Sequence, residues 1–212
     1  MRSASTFVAF VALACAMAIP VAHAQLPPPA PAGPPAGPGT WAEKDRVEPR
    51  AEVASAFANG RLYVMGGLAR GEDASTLTQE GDPNTDTWRD RAPMPGPLSH
   101  PNAVVLNGKI YVAGGFLKQV HIGAQDAFFE YDPVKNSWRK LAPLPTPRGS
   151  VAIVVLDGKI HVIGGRNPDL VTIPNHDVYD PATNKWTGAA PLPQPRDHLS
   201  FGAIDGKIHV IG

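Results

Sequence analysis

From Ala54 onward, short apolar runs alternate with glycine-bearing turns, and the same order of runs recurs in four successive units. Each unit opens on a first run, at 54–58, 102–106, 151–156 and 200–204. A two-residue turn follows in every case: Asn59-Gly60, Asn107-Gly108, Asp157-Gly158 and Asp205-Gly206. Asn-Gly and Asp-Gly tolerate positive φ at both central positions, which a type I′ hairpin requires. The second run then reads Leu62-Tyr63-Val64-Met65, Ile110-Tyr111-Val112-Ala113, Ile160-His161-Val162-Ile163 and Ile208-His209-Val210-Ile211. Its nearly continuous apolar character predicts a strand covered on both faces. A glycine doublet ends it at Gly66-Gly67, Gly114-Gly115 and Gly164-Gly165, and the fourth unit reaches Gly212.

A third strand is predicted to end at Tyr131-Asp132-Pro133 and Tyr179-Asp180-Pro181, with Asn136 and Asn184 suited to the left-handed position of the following turn. The fourth opens on Trp138 and Trp186 and closes in Ala142-Pro143-Leu144-Pro145 and Ala190-Pro191-Leu192-Pro193, where proline suits an outer edge. The first unit keeps Asp82-Pro83 and Trp88 but has Gly81 in place of tyrosine, which weakens the pattern for its third strand. The four tryptophans, 41, 88, 138 and 186, are spaced 47, 50 and 48 residues apart, and the doublet positions 48, 50 and 48. Two unrelated markers share one period, which identifies a structural repeat.

Gly-Gly after four apolar residues, then Tyr-Asp-Pro, then Trp, at a period near fifty, resembles the Kelch repeat. The resemblance covers 41–212 and implies an all-β, Kelch-type β-propeller of four-stranded antiparallel blades. The expected divisions are blade 1 at 50–97, blade 2 at 98–147, blade 3 at 148–195 and the start of blade 4 at 196–212. Residues 41–49 match a fourth strand with no three before it, as in propellers whose N-terminal strand completes the last blade. The reading is therefore of an incomplete ring, about three and a half blades, belonging to a longer reading frame of six blades by analogy.

Ahead of the repeats, Arg2, an apolar run over 7–19 and the small residues Ala22-His23-Ala24 read as a signal peptide cut between Ala24 and Gln25. The apolar run is too short to span a bilayer comfortably. Residues 25–40, rich in Pro, Ala and Gly and free of charge, read as an extended linker. The chain is thus expected to be secreted or periplasmic, with no membrane span after cleavage. Cys15 is the only cysteine and leaves with the leader, which removes disulfides, thiolate metal sites and cysteine nucleophiles from the mature chain. Nineteen basic residues balance nineteen acidic ones, so a nucleic-acid surface is not expected. Oligomeric state is not encoded in any pattern of this chain.

Ligand chemistry in such a fold is expected at the mouth of the central channel, where the innermost strands begin. Eight residues before each hairpin glycine stand Glu52, His100, Ser150 and His198; ten before stand Arg50, Leu98, Arg148 and Arg196. The resemblance implies that the first set faces the mouth. The recurring Pro-Arg, at Arg50, Arg148 and Arg196, reads as structural, pairing with backbone or carboxylates between blades, although Arg148 and Arg196 also join the candidate ligand-binding group. Arg166 and Asn167, directly after the doublet, complete it, and His121 and His176 lie in long segments that could overhang the mouth. His161 and His209 occupy the slots of Tyr63 and Tyr111 and read as packing aromatics. No two histidines share a metal-ligand spacing, Glu72, Asp73, Glu80, Asp82 and Asp86 fit no EF-hand loop, and no metal or cofactor is expected. The functional expectation is an exported binding module for a protein or glycan. Its alternatives are a sugar-modifying enzyme similar to sialic-acid epimerases, with Glu52, Arg148, His100 and His198 as acid–base groups, and a galactose-oxidase-like copper enzyme. The last needs a Cys cross-linked to a Tyr, and residues 25–212 hold no Cys.

Overall fold

The structure, a computed structural model, describes residues 47–69, 73–119 and 121–212. The predicted signal peptide at 1–24, the linker at 25–40, residues 41–46 of the predicted closing strand and Glu72 lie outside them. Residues 47–49 form no strand, and the Glu48 N–H donates to Oε1 of Gln79 at 3.2 Å.

Among the described residues, fourteen strands form three four-stranded antiparallel sheets and a hairpin. The first sheet holds β1 (Ala54–Ala58), β2 (Arg61–Met65), β3 (Thr78–Asp82) and β4 (Thr87–Asp90) in that order. The second holds β5 (Asn102–Leu106), β6 (Lys109–Ala113), β7 (Phe128–Asp132) and β8 (Ser137–Lys140), again in chain order. The third is built likewise from β9 (Ala152–Leu156), β10 (Lys159–Ile163), β11 (His176–Asp180) and β12 (Lys185–Gly188). The hairpin is β13 (Ser200–Ile204) with β14 (Lys207–Ile211). Among the described residues no helix is long and apolar enough to cross a membrane.

The first strands of successive sheets are neighbours: β1 adjoins β5, β5 adjoins β9, and β9 adjoins β13. The sheets are therefore blades meeting on their inner edges. Just ahead of those strands the backbones link in series. The His100 N–H donates to Glu52 O at 2.9 Å, Ser150 to His100 O at 3.1 Å, and His198 to Ser150 O at 3.1 Å. Each of these four residues has a left-handed φ of 53–55°.

Alternation along the second strands explains their unbroken apolar character. Ile110 and Val112 pack into the core between blades 1 and 2, with Tyr63, Met65, Met94 and Tyr131. Tyr111 and Ala113 face the opposite way, into the core between blades 2 and 3, with Phe128, Ile153, Ile160 and Tyr179. One strand thus serves two cores, and only Lys109 at its start keeps contact with water.

The markers of the repeat each have a mechanical role. Gly114, at φ 64°, carries no Cβ because one would stand 2.2 Å from the Arg148 carbonyl oxygen, where the next blade's chain crosses. That same crossing chain accepts from the doublet, Gly115 N–H to Arg148 O at 3.0 Å and Gly165 N–H to Arg196 O at 2.8 Å. Trp138 Nε1 donates to Ala92 O at 2.8 Å and Trp186 Nε1 to Ala142 O at 2.9 Å, tying each blade to the segment that leaves the one before it. Tyr131 and Tyr179 pair across strands with those tryptophans, ring centroids 4.8 and 5.1 Å apart.

The third strand of blade 1 forms despite its missing tyrosine. Gly81 pairs with Trp88, and a Cβ on Gly81 would lie 2.9 Å from the Trp88 ring. The indole occupies the tyrosine's space, so glycine here is a packing requirement.

Candidate functional site

The inner ends of the blades bring Glu52, His100, Ser150 and His198 together around one cavity of about 160 Å³, with Val53, Pro101, Asn102 and Leu199 completing its lining. Their common left-handed conformation and their serial backbone bonds hold the four side chains on one rim. His100 Nε2 lies 3.4 Å from a Glu52 carboxylate oxygen, and Ser150 Oγ 3.2 Å from His198 Nε2.

Two loops add residues from farther along the chain. The segment after the blade 2 doublet carries His121, whose Nε2 lies 3.1 Å from His198 Nε2. The segment after the blade 3 doublet carries Arg166, which donates from Nε to Asp197 Oδ2 at 3.0 Å and from Nη1 to His121 Nδ1 at 3.4 Å. Asp197 also accepts from Thr172 Oγ1 on Oδ2 and from His198 Nδ1 at 2.6 Å on Oδ1. A guanidinium only donates and a carboxylate only accepts. His121 therefore presents Nδ1 as acceptor and Nε2–H as donor, while His198 gives Nδ1–H to Asp197 and keeps its Nε2 lone pair. Arg166, His121, His198 and Asp197 close a circuit of hydrogen bonds.

The three imidazoles of His100, His121 and His198 meet edge to face, with centroids 4.8–5.5 Å apart. Buried Phe116 backs His100 and His121, and it fits because Gly149 has no side chain: a Cβ there would stand 2.3 Å from the ring. Burial, then the neighbouring His198, pushes the His100 pKa down to about 4. Burial followed by the nearby His100, His198 and Arg166 brings His121 to about 4 as well. Both rings are neutral at neutral pH. Burial alone would raise the Asp197 carboxyl, but hydrogen bonds from Thr172 and His198 and the charge of Arg166 hold it below the ordinary carboxylate value.

The remaining candidates are placed elsewhere or otherwise used. Arg148 is wholly buried and does not reach the mouth. It donates to Gly164 O at 3.0 Å, Val162 O at 3.2 Å, Thr146 O at 2.9 Å and Asp177 Oδ2 at 2.7 Å. Those partners lie in its own blade or just before it, so the expectation of side-chain pairing between blades is corrected; only its main chain crosses to the neighbour, its N–H donating to Gln125 O and its carbonyl accepting from Gly115 N–H, both at 3.0 Å. Arg50 repeats the arrangement on Gly66 O at 2.7 Å and Gln79 Oε1 at 2.9 Å. Arg196 donates to Gly212 O, the matching position. Asn167 turns its Oδ1 back onto the N–H groups of Asp169 and Val171, capping its loop. His161 fills its tyrosine slot with Nδ1 2.9 Å from His176 Nε2, as Tyr63 and Tyr111 reach Glu80 and Glu130 at 3.1 and 2.9 Å. Sequence reading placed His121 only in a segment that could overhang, and it passed over Asp197, whose position in the other units holds Ala51, Ser99 and Gly149.

The family described as the KLHDC2/KLHL20/DRC7 Kelch-repeats domain matches residues 40–212. This chain belongs to the Kelch-repeat family. Three four-stranded blades and an inner hairpin of a fourth make it a Kelch-type β-propeller, about three and a half blades in extent. Among curated relatives, the Kelch-like protein terF of Aspergillus terreus is 35% identical over 88 residues, 37% of this chain and 19% of that protein. The human Kelch repeat and BTB domain-containing protein 12 is 36% identical over 74 residues, 29% of this chain and 12% of that protein. The Kelch region here thus spans a fifth or less of the curated relatives it matches. The solved structure of YjhT superposes with a TM-score of 0.66 at 21% identity, covering 76% of this chain and 58% of that one, which is a likeness of fold.

Proposed function

We propose that this Kelch-repeat protein is an exported binding module that holds a protein segment at the propeller mouth. The supporting observation is the composition of the two loops that deliver His121 and Arg166. Leu117 and Ile122 on one, and Leu170 and Val171 on the other, stand exposed beside the polar rim. Aliphatic groups next to a few fixed polar ones suit a polypeptide, which carries both kinds of surface. A glycan calls for hydroxyl-pairing polar groups and flat aromatic rings against its C–H faces, not for exposed aliphatic side chains. Export rests on the leader pattern, and the mature N-terminus from a secreting host is expected at Gln25.

The test is selection of displayed peptides against the full chain, followed by affinity measurement by fluorescence anisotropy. Ile122→Asp and Leu170→Asp are each expected to weaken a selected peptide at least tenfold without moving the unfolding midpoint. Peptides indifferent to both changes, together with a glycan-array hit that depends on His100 and His198, would transfer the mouth to a carbohydrate ligand.

A further inference from the structure

We propose that His100, His121 and His198 form a binding site for a single divalent late transition-metal ion, Zn²⁺ being the probe of choice. The site goes beyond the protein-ligand reading and does not depend on it. One ligand atom from each of the three residues can be chosen so that all lie within 4.8 Å of one another. A tetrahedral ion with metal–nitrogen bonds of about 2.0–2.1 Å needs ligand atoms about 3.3 Å apart. The His121 and His198 Nε2 atoms already stand 3.1 Å apart. Closure therefore asks the widest pair to approach by about 1.5 Å, mostly at His100, since the other two rings already meet the spacing.

The surroundings supply what a histidine ligand set requires. A ligating imidazole donates its other nitrogen to a carboxylate or hydroxyl, which fixes its orientation and raises its basicity. His198 does so to Asp197, 2.6 Å away, leaving Nε2 for the ion. His100 has Ser99 Oγ 3.4 Å from its Nδ1, and that hydroxyl is already committed as a donor to Phe116 O at 3.2 Å, so it is an acceptor for the ring. His121 is the one ring that must change. Its Nε2 proton is replaced by the ion, and a proton is taken up from solvent at Nδ1. This displaces the Arg166 contact, at 3.4 Å the longest in the circuit. Nitrogen-only ligation favours zinc, nickel or copper over magnesium or calcium. Three protein ligands leave one position open toward the mouth. Glu52, 3.4 Å from His100 Nε2, offers negative charge beside the dication.

The three residues belong to three separate stretches of chain, which is why no His-x-His spacing announces them. The His161–His176 pair, with ring nitrogens 2.9 Å apart, is the natural control, because it offers two imidazoles and no third among the described residues.

The experiment is isothermal titration of the untagged full chain with Zn²⁺, with Co²⁺ absorption as the geometric readout. One equivalent is expected to bind, giving the visible bands of a tetrahedral nitrogen site. His121→Ala and His198→Ala should each weaken binding at least a hundredfold, and Asp197→Asn about 10–100-fold. His161→Ala combined with His176→Ala should leave binding unchanged. Should a mouth variant fail to fold, the imidazole nitrogen shifts of the wild-type chain give the answer alone: Zn²⁺ should move three rings at the mouth. Absence of a stoichiometric site, binding that survives loss of His121 and His198, or shifts confined to His161 and His176 would overturn the proposal.

Discussion

Two residues apart in the chain, two series of side chains run round the ring and meet opposite fates. Arg50, Arg148 and Arg196 turn into the blades and donate to the carbonyl of a doublet glycine. Glu52, His100, Ser150 and His198 occupy left-handed backbone and point at the mouth. The arginine recurs in three of the four units because it meets main-chain carbonyls that the blade itself supplies, and blade 2 fills the same place with Leu98, buried in the core. The rim residue varies because its neighbours are other rim side chains, and its place is fixed through its own peptide groups. Recurrence around a repeat protein marks what builds the unit, and variation marks where units are free to differ.

The sharpest way to break that contrast is at Arg148. Arg148→Met strands the Asp177 carboxylate and leaves the Gly164 and Val162 carbonyls without this donor, and it is expected to cost about 3–5 kcal/mol in urea unfolding. A loss under about 1 kcal/mol would mean the arginine is not a structural tie. Next comes a glycine pair that separates backbone strain from collision. Gly158 has φ 70° with nothing near its missing Cβ, whereas Gly114 has φ 64° with Arg148 O at 2.2 Å. Gly158→Ala should cost about 1 kcal/mol and Gly114→Ala at least about 2 kcal/mol more.

A smaller effect, about 1 kcal/mol, is expected from the Glu130 carboxylate. Burial alone would raise its pKa, but bonds from Lys109, Arg139 and Tyr111 hold it below the ordinary 4.5. A carboxylate lowered in the folded state stabilises above its unfolded pKa, and that contribution fades as pH falls below 4.5 toward the folded value. Unfolding midpoints of Glu130→Gln should therefore lack this part of the acid-side decline. Smallest of all are rim changes. Glu52→Gly and His198→Gly each remove a half-exposed side chain from left-handed backbone and should shift stability by no more than about 1 kcal/mol in either direction. A large loss at either position would show that the rim is structural after all.

The blades were legible because their signals are local: a two-residue turn needs Asn-Gly or Asp-Gly, and a doubly covered strand needs an unbroken apolar run. The doublets and the Trp–Tyr pairs repeat for the same reason. The third strand of blade 1 was harder, since the indole that replaces its tyrosine comes from the neighbouring strand. The mouth residues could be counted from the hairpins, but not their company. His121 reaches His198 across 77 positions, and Asp197 matters only because Arg166 and Thr172 arrive from another loop. Such meetings depend on how loops fold over the axis, which no spacing records. Arg148 reads as structural from its Pro-Arg recurrence yet also stands among the ligand-binding candidates, and its burial is what takes it out of the mouth.

The serial peptide bonds from Glu52 through His100 and Ser150 to His198 carry one further consequence. Because this collar is linked through main-chain atoms that every residue but proline possesses, its lettering can be rewritten without redrafting the wall beneath. Descendants of such a scaffold could acquire new specificities by single substitutions at four known places, and a laboratory library confined to those four should yield mostly soluble, folded members.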